Sequence, residues 1–366
     1  MSDLYPMLIQ PRYVERIWGG HDLAVRLGKP APPDKPIGES WEIYEENPVL
    51  NGAYVGQTIG GLRATMGRDL MGHVPAQELF PLLTKLIDAQ DVLSVQVHPD
   101  DHFARELEGQ PYGKTECWYV IQAAPGAQLT YGFARDSNPE EYTELVQAGK
   151  LDTILRSIPV RAGDVVYLPA GTVHAIGAGI VLYELQQTSD VTYRIYDWNR
   201  RDASGKAREL HVDKARQVLD YHCCTRGTIQ PLSGQDGART MLIAGPHFCM
   251  ELVEAGAAGD VGTYESPVAV CALEQPILVG VSTGGEPVTL APYSSLLIPA
   301  AAGTYTLRAA STGGTPARAL VAYVPTSSEA TRADLVKRGF SQAEVDAFLA
   351  QFAPARDLGR PATPVR

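Results

Sequence analysis

The run GDVVYLPAGTVHAI, residues 163–176, carries the strongest chemical signal in the chain: Gly163, five residues, Pro169, one residue, Gly171, two residues, then His174. Asp164 to Leu168 alternate as a strand, Pro169 and Gly171 supply a tight turn, and His174 opens the next strand. A histidine just past such a turn can point into a strand-built barrel, where its imidazole is a natural metal ligand. A single strand histidine is more often a satisfied core residue, so its partners decide. Partners are present. Gln96 and His98 in LSVQVHPDD lie two apart on a strand-like run and so face the same side. Glu116, eighteen residues beyond His98 in GKTECWYVI, precedes another strand, and Lys114 two residues earlier shares its face.

The spacing of residues 163–174 resembles the second sequence motif of the cupin superfamily, G-x5-P-x-G-x2-H, at every position. The first cupin motif, HxH followed by a Glu and a Gly, is met with departures: Gln96 replaces the first His, and the connection to Glu116 is long. QVHPDD, GKTE and LPAGTVHAI, with RIWGG (16–20), GESWEI (38–43) and YRIYDWNR (193–200), resemble the type I phosphomannose isomerases, a zinc-dependent cupin family. The resemblance spans roughly the first 200 residues. It implies one zinc per chain in a first barrel, held by Gln96, His98, Glu116 and His174. It also implies an aldose–ketose isomerase that interconverts mannose 6-phosphate and fructose 6-phosphate through an enediol. Two imidazoles, a carboxylate and an amide oxygen suit zinc and leave room for a water or substrate oxygen. The same donors suit Fe(II), Mn or Co, so zinc itself rests on the resemblance. One carboxylate against a divalent ion leaves the site net positive, which favours an alkoxide or enediolate oxygen.

Such a reaction needs a base that moves a proton between neighbouring carbons and an electrophile beside the developing oxygen charge. The run IVLYELQQTSDVTYRIYDWNR is rich in polar side chains, among them Glu184, Gln186, Asp190, Arg194, Asp197 and Arg200; a solvated sheet face is the competing reading at each. By resemblance Arg194 is the family's active-site arginine, suited to forking onto an anionic oxygen. Lys114, whose pKa a nearby zinc would lower, Asp190 and Glu184 are the acid/base candidates, with the proton carrier left open. Ser94 and Lys85 match family positions at the phosphate end of the pocket, although Lys85 is equally read as the polar edge of a surface helix. Trp18, Trp41, Trp118 and Trp198 read as core or barrel lining. His21, His73, His211, His222 and His247 have no partner at ligand spacing, and His102, beyond Pro99, reads as a loop residue.

Positioning these groups falls to a mainly β fold. Short runs rich in β-branched and aromatic residues, such as ECWYVIQA, AQLTYGF and IVLYELQQ, are punctuated by Gly, Pro and Asp. They predict antiparallel barrels, two cupin-type jelly rolls, with helical insertions in the first over residues 59–90 and 138–157. A helix over 207–222 closes a catalytic metal-binding unit at 1–224. A degenerate, metal-free barrel follows at 225–325, where Pro299 and Gly303 echo the turn but Thr304 or Tyr305 stands in place of a histidine. The tail, 326–366, is predicted helical over 326–352, with Ser328 as a first cap and Ser341 with Glu344 as a second, and loose at its end.

At 366 residues two packed domains are the default. A formal charge of −11 argues against nucleic-acid or anionic-membrane surfaces, and any anionic substrate must meet a local cationic pocket. The first residues lack a signal-peptide pattern. No apolar run is long enough to span a membrane. Five cysteines, odd in number and without CxxC spacing, fit a reducing cytoplasm. The expected partner is a small phosphosugar; the sequence leaves the oligomeric state open, a monomer included. Two competing functions remain: another metallocupin enzyme, such as an Fe-dependent dioxygenase, and a non-catalytic sugar-phosphate-binding cupin.

Overall fold

The computed structural model describes residues 4–75, 79–201, 205–234, 237–311 and 316–353. The chain end read as loose, beyond Ala353, lies outside them.

The first half is two facing antiparallel sheets. One runs, edge to edge, Arg12–Gly20, Ile37–Ile43, Leu82–Ala89, Ile180–Gln187, Glu116–Ala123, Val165–Leu168. The other runs Tyr193–Tyr196, Val95–Val97, His174–Ile176, Gln128–Phe133, Leu155–Pro159. Alternation along each strand divides its side chains between two environments. Ile87, Trp118, Val120 and Leu182 point between the sheets and meet Leu129, Tyr131 and Ile176. The alternate positions Leu86, Cys117, Tyr119, Tyr183 and Leu185 point outward and join a second core with Val270, Leu297 and Leu320 of the other half.

That second half repeats the plan without a histidine among its strands. A seven-stranded sheet holds Cys249–Glu254, Val268–Ala272, Ser295–Ile298 and Arg318–Tyr323, and faces a four-stranded one that includes Thr304–Ala309. Its edge strand is Met7–Leu8 from the start of the chain, paired with Ser295–Ile298. The architecture is the mainly β, two-barrel cupin fold with helical insertions.

Several expectations on local structure need correction. The helical stretch expected over 59–90 forms helices only at Ile59–Met66 and Arg68–Met71; Leu82–Ala89 is instead a strand near the centre of the sheet. Every residue of that strand is buried because both faces of its sheet are covered, so LLTKLIDA shows no polar alternation to mark it as a strand. Lys85 is therefore no surface-helix residue. In 138–157 the helix stops at Gln147, giving way to a 3₁₀ turn at Leu151–Ile154 and a strand at Leu155–Pro159. In 207–222 only Val212–Val218 is helical. His102 lies on the helix Asp101–Glu108, paired with Glu106 one turn on. The tail helix Ser328–Lys337 is capped by Ser327 rather than Ser328, whereas Ser341 and Glu344 form the expected capping box. All five cysteines are free thiols, and among the described residues no helix is long and apolar enough to cross a membrane.

Candidate metal and substrate site

The turn that carries His174 is fixed by its glycine. Gly171 has φ +85°, and a Cβ there would come within 2.8 Å of the Val218 carbonyl oxygen. Its amide donates to the His98 carbonyl, tying together the two turns that present the histidines. Across the five-stranded sheet His174 pairs with Gln96, and Gln96 pairs with Arg194 on its other side. Directly opposed residues project to one face, so the three side chains form a row.

His98 and Glu116 meet His174, all three buried, with one ligand atom from each lying within 4.8 Å of the others. The Nδ1 of His98 lies 2.9 Å from the Val191 carbonyl and that of His174 2.9 Å from the Thr172 carbonyl. A carbonyl only accepts, so each Nδ1 carries a proton and each Nε2 is the nitrogen turned toward the carboxylate. The two Nε2 atoms face the carboxylate, His98 at 3.7 Å and His174 at 3.1 Å. Burial, then the charge of Lys114, holds the His98 pKa well below the ordinary histidine value. Burial alone would raise the Glu116 carboxyl, but Lys114 and the two imidazoles hold it well below the usual carboxylate range. Neutral imidazoles and an ionised carboxylate are the forms that bind a cation. Both Glu116 oxygens and His174 Nε2 are fully buried, with Lys114 Nζ 2.8 Å from Oε2. Buried acceptors with unused lone pairs are costly, and a divalent cation would satisfy those that Lys114 leaves open. The residues fit a metal ion.

Lys114 joins this cluster to an open cavity of about 220 Å³. Its Nζ lies 2.8 Å from Glu116 Oε2 and 3.3 Å from His98 Nε2. Burial works to lower its pKa, but Glu116 and Glu184 outweigh that and raise it; the lowering expected beside a zinc concerns the loaded site. Ser94, Gln96, Lys85, Glu184, Asp190 and Arg194 all line the same cavity. Lys85 Nζ donates to Glu184 at 3.0 Å and Gln186 at 2.8 Å and sits over the Trp41 ring. The second Glu184 oxygen accepts from Trp118 Nε1 at 3.0 Å. Asp190 is exposed at the mouth. Arg194 donates to the Ser94 hydroxyl at 3.4 Å.

Reading by spacing missed three lining residues. Arg16 forks onto Glu39 at 2.8 and 3.1 Å, Glu39 also accepts from Trp41 Nε1, and Arg208 reaches the cavity from a loop. Arg16 and Glu39 stand inside RIWGG and GESWEI, so those motifs were the signal; nothing local marks Arg208. His211, set aside for want of a ligand-spaced partner, receives a hydrogen bond from the Arg194 amide and returns one to its carbonyl. Among the lining residues five cations stand against three carboxylates. That local excess, in a chain of net charge −11, is the cationic pocket an anionic substrate requires.

Comparison with known proteins identifies the family. The phosphomannose isomerase type I catalytic domain matches residues 7–119. The chain is 43% identical over 247 residues to the mannose-6-phosphate isomerase of Streptococcus mutans, 66% of this chain and 77% of that protein. The crystal structure of mannose 6-phosphate isomerase from Bacillus subtilis superposes with a TM-score of 0.77 at 31% identity, over 87% of this chain and 99% of that one. A zinc-bound mannose 6-phosphate isomerase shares the fold at 15% identity, with a TM-score of 0.70 over 88% of this chain and 100% of that one. On sequence, fold and site together, the chain belongs to the type I phosphomannose isomerase family.

Proposed function

We propose that this chain is a zinc-dependent mannose-6-phosphate isomerase, interconverting mannose 6-phosphate and fructose 6-phosphate. The observation that carries the reading is the buried His98–Glu116–His174 group, whose two Nε2 atoms and carboxylate turn together beside Lys114, a residue that also lines the cationic cavity. The same name on its relatives supports it. Gln96, next in the row to His174, would supply a fourth, neutral donor. Bound there, zinc supplies Lewis-acid stabilisation of the oxygen charge that develops as the proton leaves carbon.

The chain's own groups do the rest. Lys114, Glu184 and Asp190 line the cavity and are the candidates to carry the proton between C1 and C2. Glu184 is held in one orientation by Lys85 and Trp118. Arg194 keeps its charge at every working pH and forks onto an anionic oxygen. Ser94 and Lys85 stand on the cavity wall as substrate contacts. The division of the chain into a catalytic unit (1–224), a covering unit (225–325) and a helical tail (326–366) belongs to the same proposal, as does a cytoplasmic setting, for which the free thiols speak.

The test couples metal content to turnover of mannose 6-phosphate. One zinc per chain is expected, with activity lost on chelation and restored by zinc, and both lost together in His98→Ala and His174→Ala. Full turnover by a metal-free protein overturns the reading, and oxygen uptake without isomerisation replaces it with dioxygenase chemistry.

A further inference from the structure

Three guanidiniums gather around one buried carboxylate beside the cavity. Asp197 accepts from Arg208 through Nε at 2.7 Å and through Nη2. It also accepts from Arg200 through Nε at 3.2 Å and Nη2 at 2.6 Å. Arg200 gives its remaining Nη1 to Asp91 and to the Val92 carbonyl, so its donors are used within the protein. Arg194 and Arg208 differ from it. Both line the cavity, and Arg194 has no carboxylate partner among the described residues, giving only Nε to Ser94 and Nη1 to the Glu209 carbonyl. Arg194 Nη2 and Arg208 Nη1 carry no hydrogen bond among the described residues. The two are close enough that, after burial, the charge of Arg208 is the next cause pushing the Arg194 pKa down.

This surplus of positive charge is held in place on purpose-built backbone. The Arg194 amide donates to His211 Nδ1 at 3.1 Å, and the His211 amide returns a bond to the Arg194 carbonyl at 2.8 Å. Residues 208–211 are thereby laid along the strand Tyr193–Tyr196, which delivers Arg208 to the cavity. The other three cations lining the cavity are each held by a carboxylate: Lys85 by Glu184, Arg16 by Glu39 and Lys114 by Glu116. The undercompensated end is therefore the arginine end.

We infer that Arg208 is a substrate-binding residue, and that with Arg194 and the Ser94 hydroxyl it clamps the phosphate dianion of the sugar. Asp197 keeps the Arg208 fork aimed, and the two open guanidinium edges take phosphate oxygens as paired, charge-assisted hydrogen bonds. The inference rests on the phosphosugar reading above, and it makes the chain discriminate for a phosphorylated sugar through a loop that no motif singled out.

The experiment compares wild type, Arg208→Gln and Arg208→Lys, all zinc-loaded. Arg208→Gln is expected to raise KM for mannose 6-phosphate about 10- to 100-fold while kcat changes by a few-fold at most. The competitive inhibition constant of inorganic phosphate should rise by a similar factor. Arg208→Lys restores the charge without the fork and should recover part of the loss. Zinc content should stay at the wild-type value in both variants; the melting temperature should fall in Arg208→Gln, because Asp197 loses one of its two guanidinium partners, and fall less in Arg208→Lys. Unchanged KM and phosphate inhibition in Arg208→Gln overturn the clamp, as does a fall in kcat alone. Calorimetric titration with inorganic phosphate separates the two claims: phosphate binding that needs Arg208 in a protein without isomerase turnover keeps the clamp and removes the isomerase.

Discussion

Each half of the molecule buries a carboxylate, and the two are treated in opposite ways. In the first, Glu116 has Lys114 Nζ 2.8 Å from one oxygen and His174 Nε2 3.1 Å from the other, which leaves lone pairs of the carboxylate unused. In the second, Glu251 receives two parallel forks, from Arg239 at 2.8 and 2.8 Å and from Arg338 at 3.0 and 2.9 Å, with Tyr323 Oη at 3.3 Å. Both side chains are inaccessible to solvent. The difference lies in what the lone pairs do. A saturated carboxylate locks elements together, here the Cys249–Glu254 strand to the Arg338 end of a tail helix. An unsaturated one, facing neutral nitrogen donors, is poised for a cation. The turns agree with this division: His174 follows Gly171 in the first half, whereas Thr304 and Tyr305 follow Gly303 in the second.

The contrast breaks or holds most clearly in a pair of isosteric variants. Glu116→Gln is expected to lose the metal and to lower turnover by about 1,000-fold or more, because several kcal/mol of charge stabilisation go with the ion. Glu251→Gln should leave zinc per folded chain and kcat near wild type. It should cost roughly 3–5 kcal/mol of stability, since two part-buried guanidiniums lose their counter-charge. Metal analysis and thermal unfolding of both variants read the outcome, and loss of zinc in Glu251→Gln would erase the distinction.

A smaller effect concerns acid. Burial would raise the Glu39 carboxyl, but Lys85 and Arg16 override it and bring its pKa down to about 2. A carboxylate whose folded pKa lies below its unfolded value adds stability above the unfolded pKa, and that stability is lost as pH falls toward the folded one. The wild type should therefore lose melting temperature between about pH 4.5 and about pH 2 more steeply than Glu39→Gln, with the curves parallel at neutral pH. Parallel curves across the acid window would show that Glu39 is not held ionised. Least is expected of Tyr305→His. Restoring a histidine after the second turn should leave zinc at one per chain, because Glu251 has no lone pair to offer; a second equivalent of zinc would show that the missing histidine alone had silenced this half.

How far the sequence could be read depended on where each signal resides. His98, Glu116, His174 and Lys114 were legible because ligand-type side chains stood at strand spacing around a Pro-Gly turn. The carbonyls of Val191 and Thr172 that orient the imidazoles were not, since any residue supplies a carbonyl and only the folded backbone aims it. Leu82–Ala89 looked helical because burial on both faces removes the alternation that marks a strand. That Lys85 lines the cavity could be anticipated only from its family motif. Arg208 and His211 act through contacts made after a loop folds back on Tyr193–Tyr196, and no spacing rule reports that.

The Met7–Leu8 strand carries a consequence for biosynthesis. Its partner, Leu296 and Leu297, lies roughly 290 residues later in the chain. At ribosomal speeds of about 5–20 residues per second, the seam waits on the order of tens of seconds before it can close. The outward face of the first barrel, with Leu86, Tyr119 and Tyr183, stays uncovered until the second-half strands that meet it have been made. An apolar sheet face left open in this way is a surface that chaperones bind and that favours aggregation when synthesis stops before the second barrel.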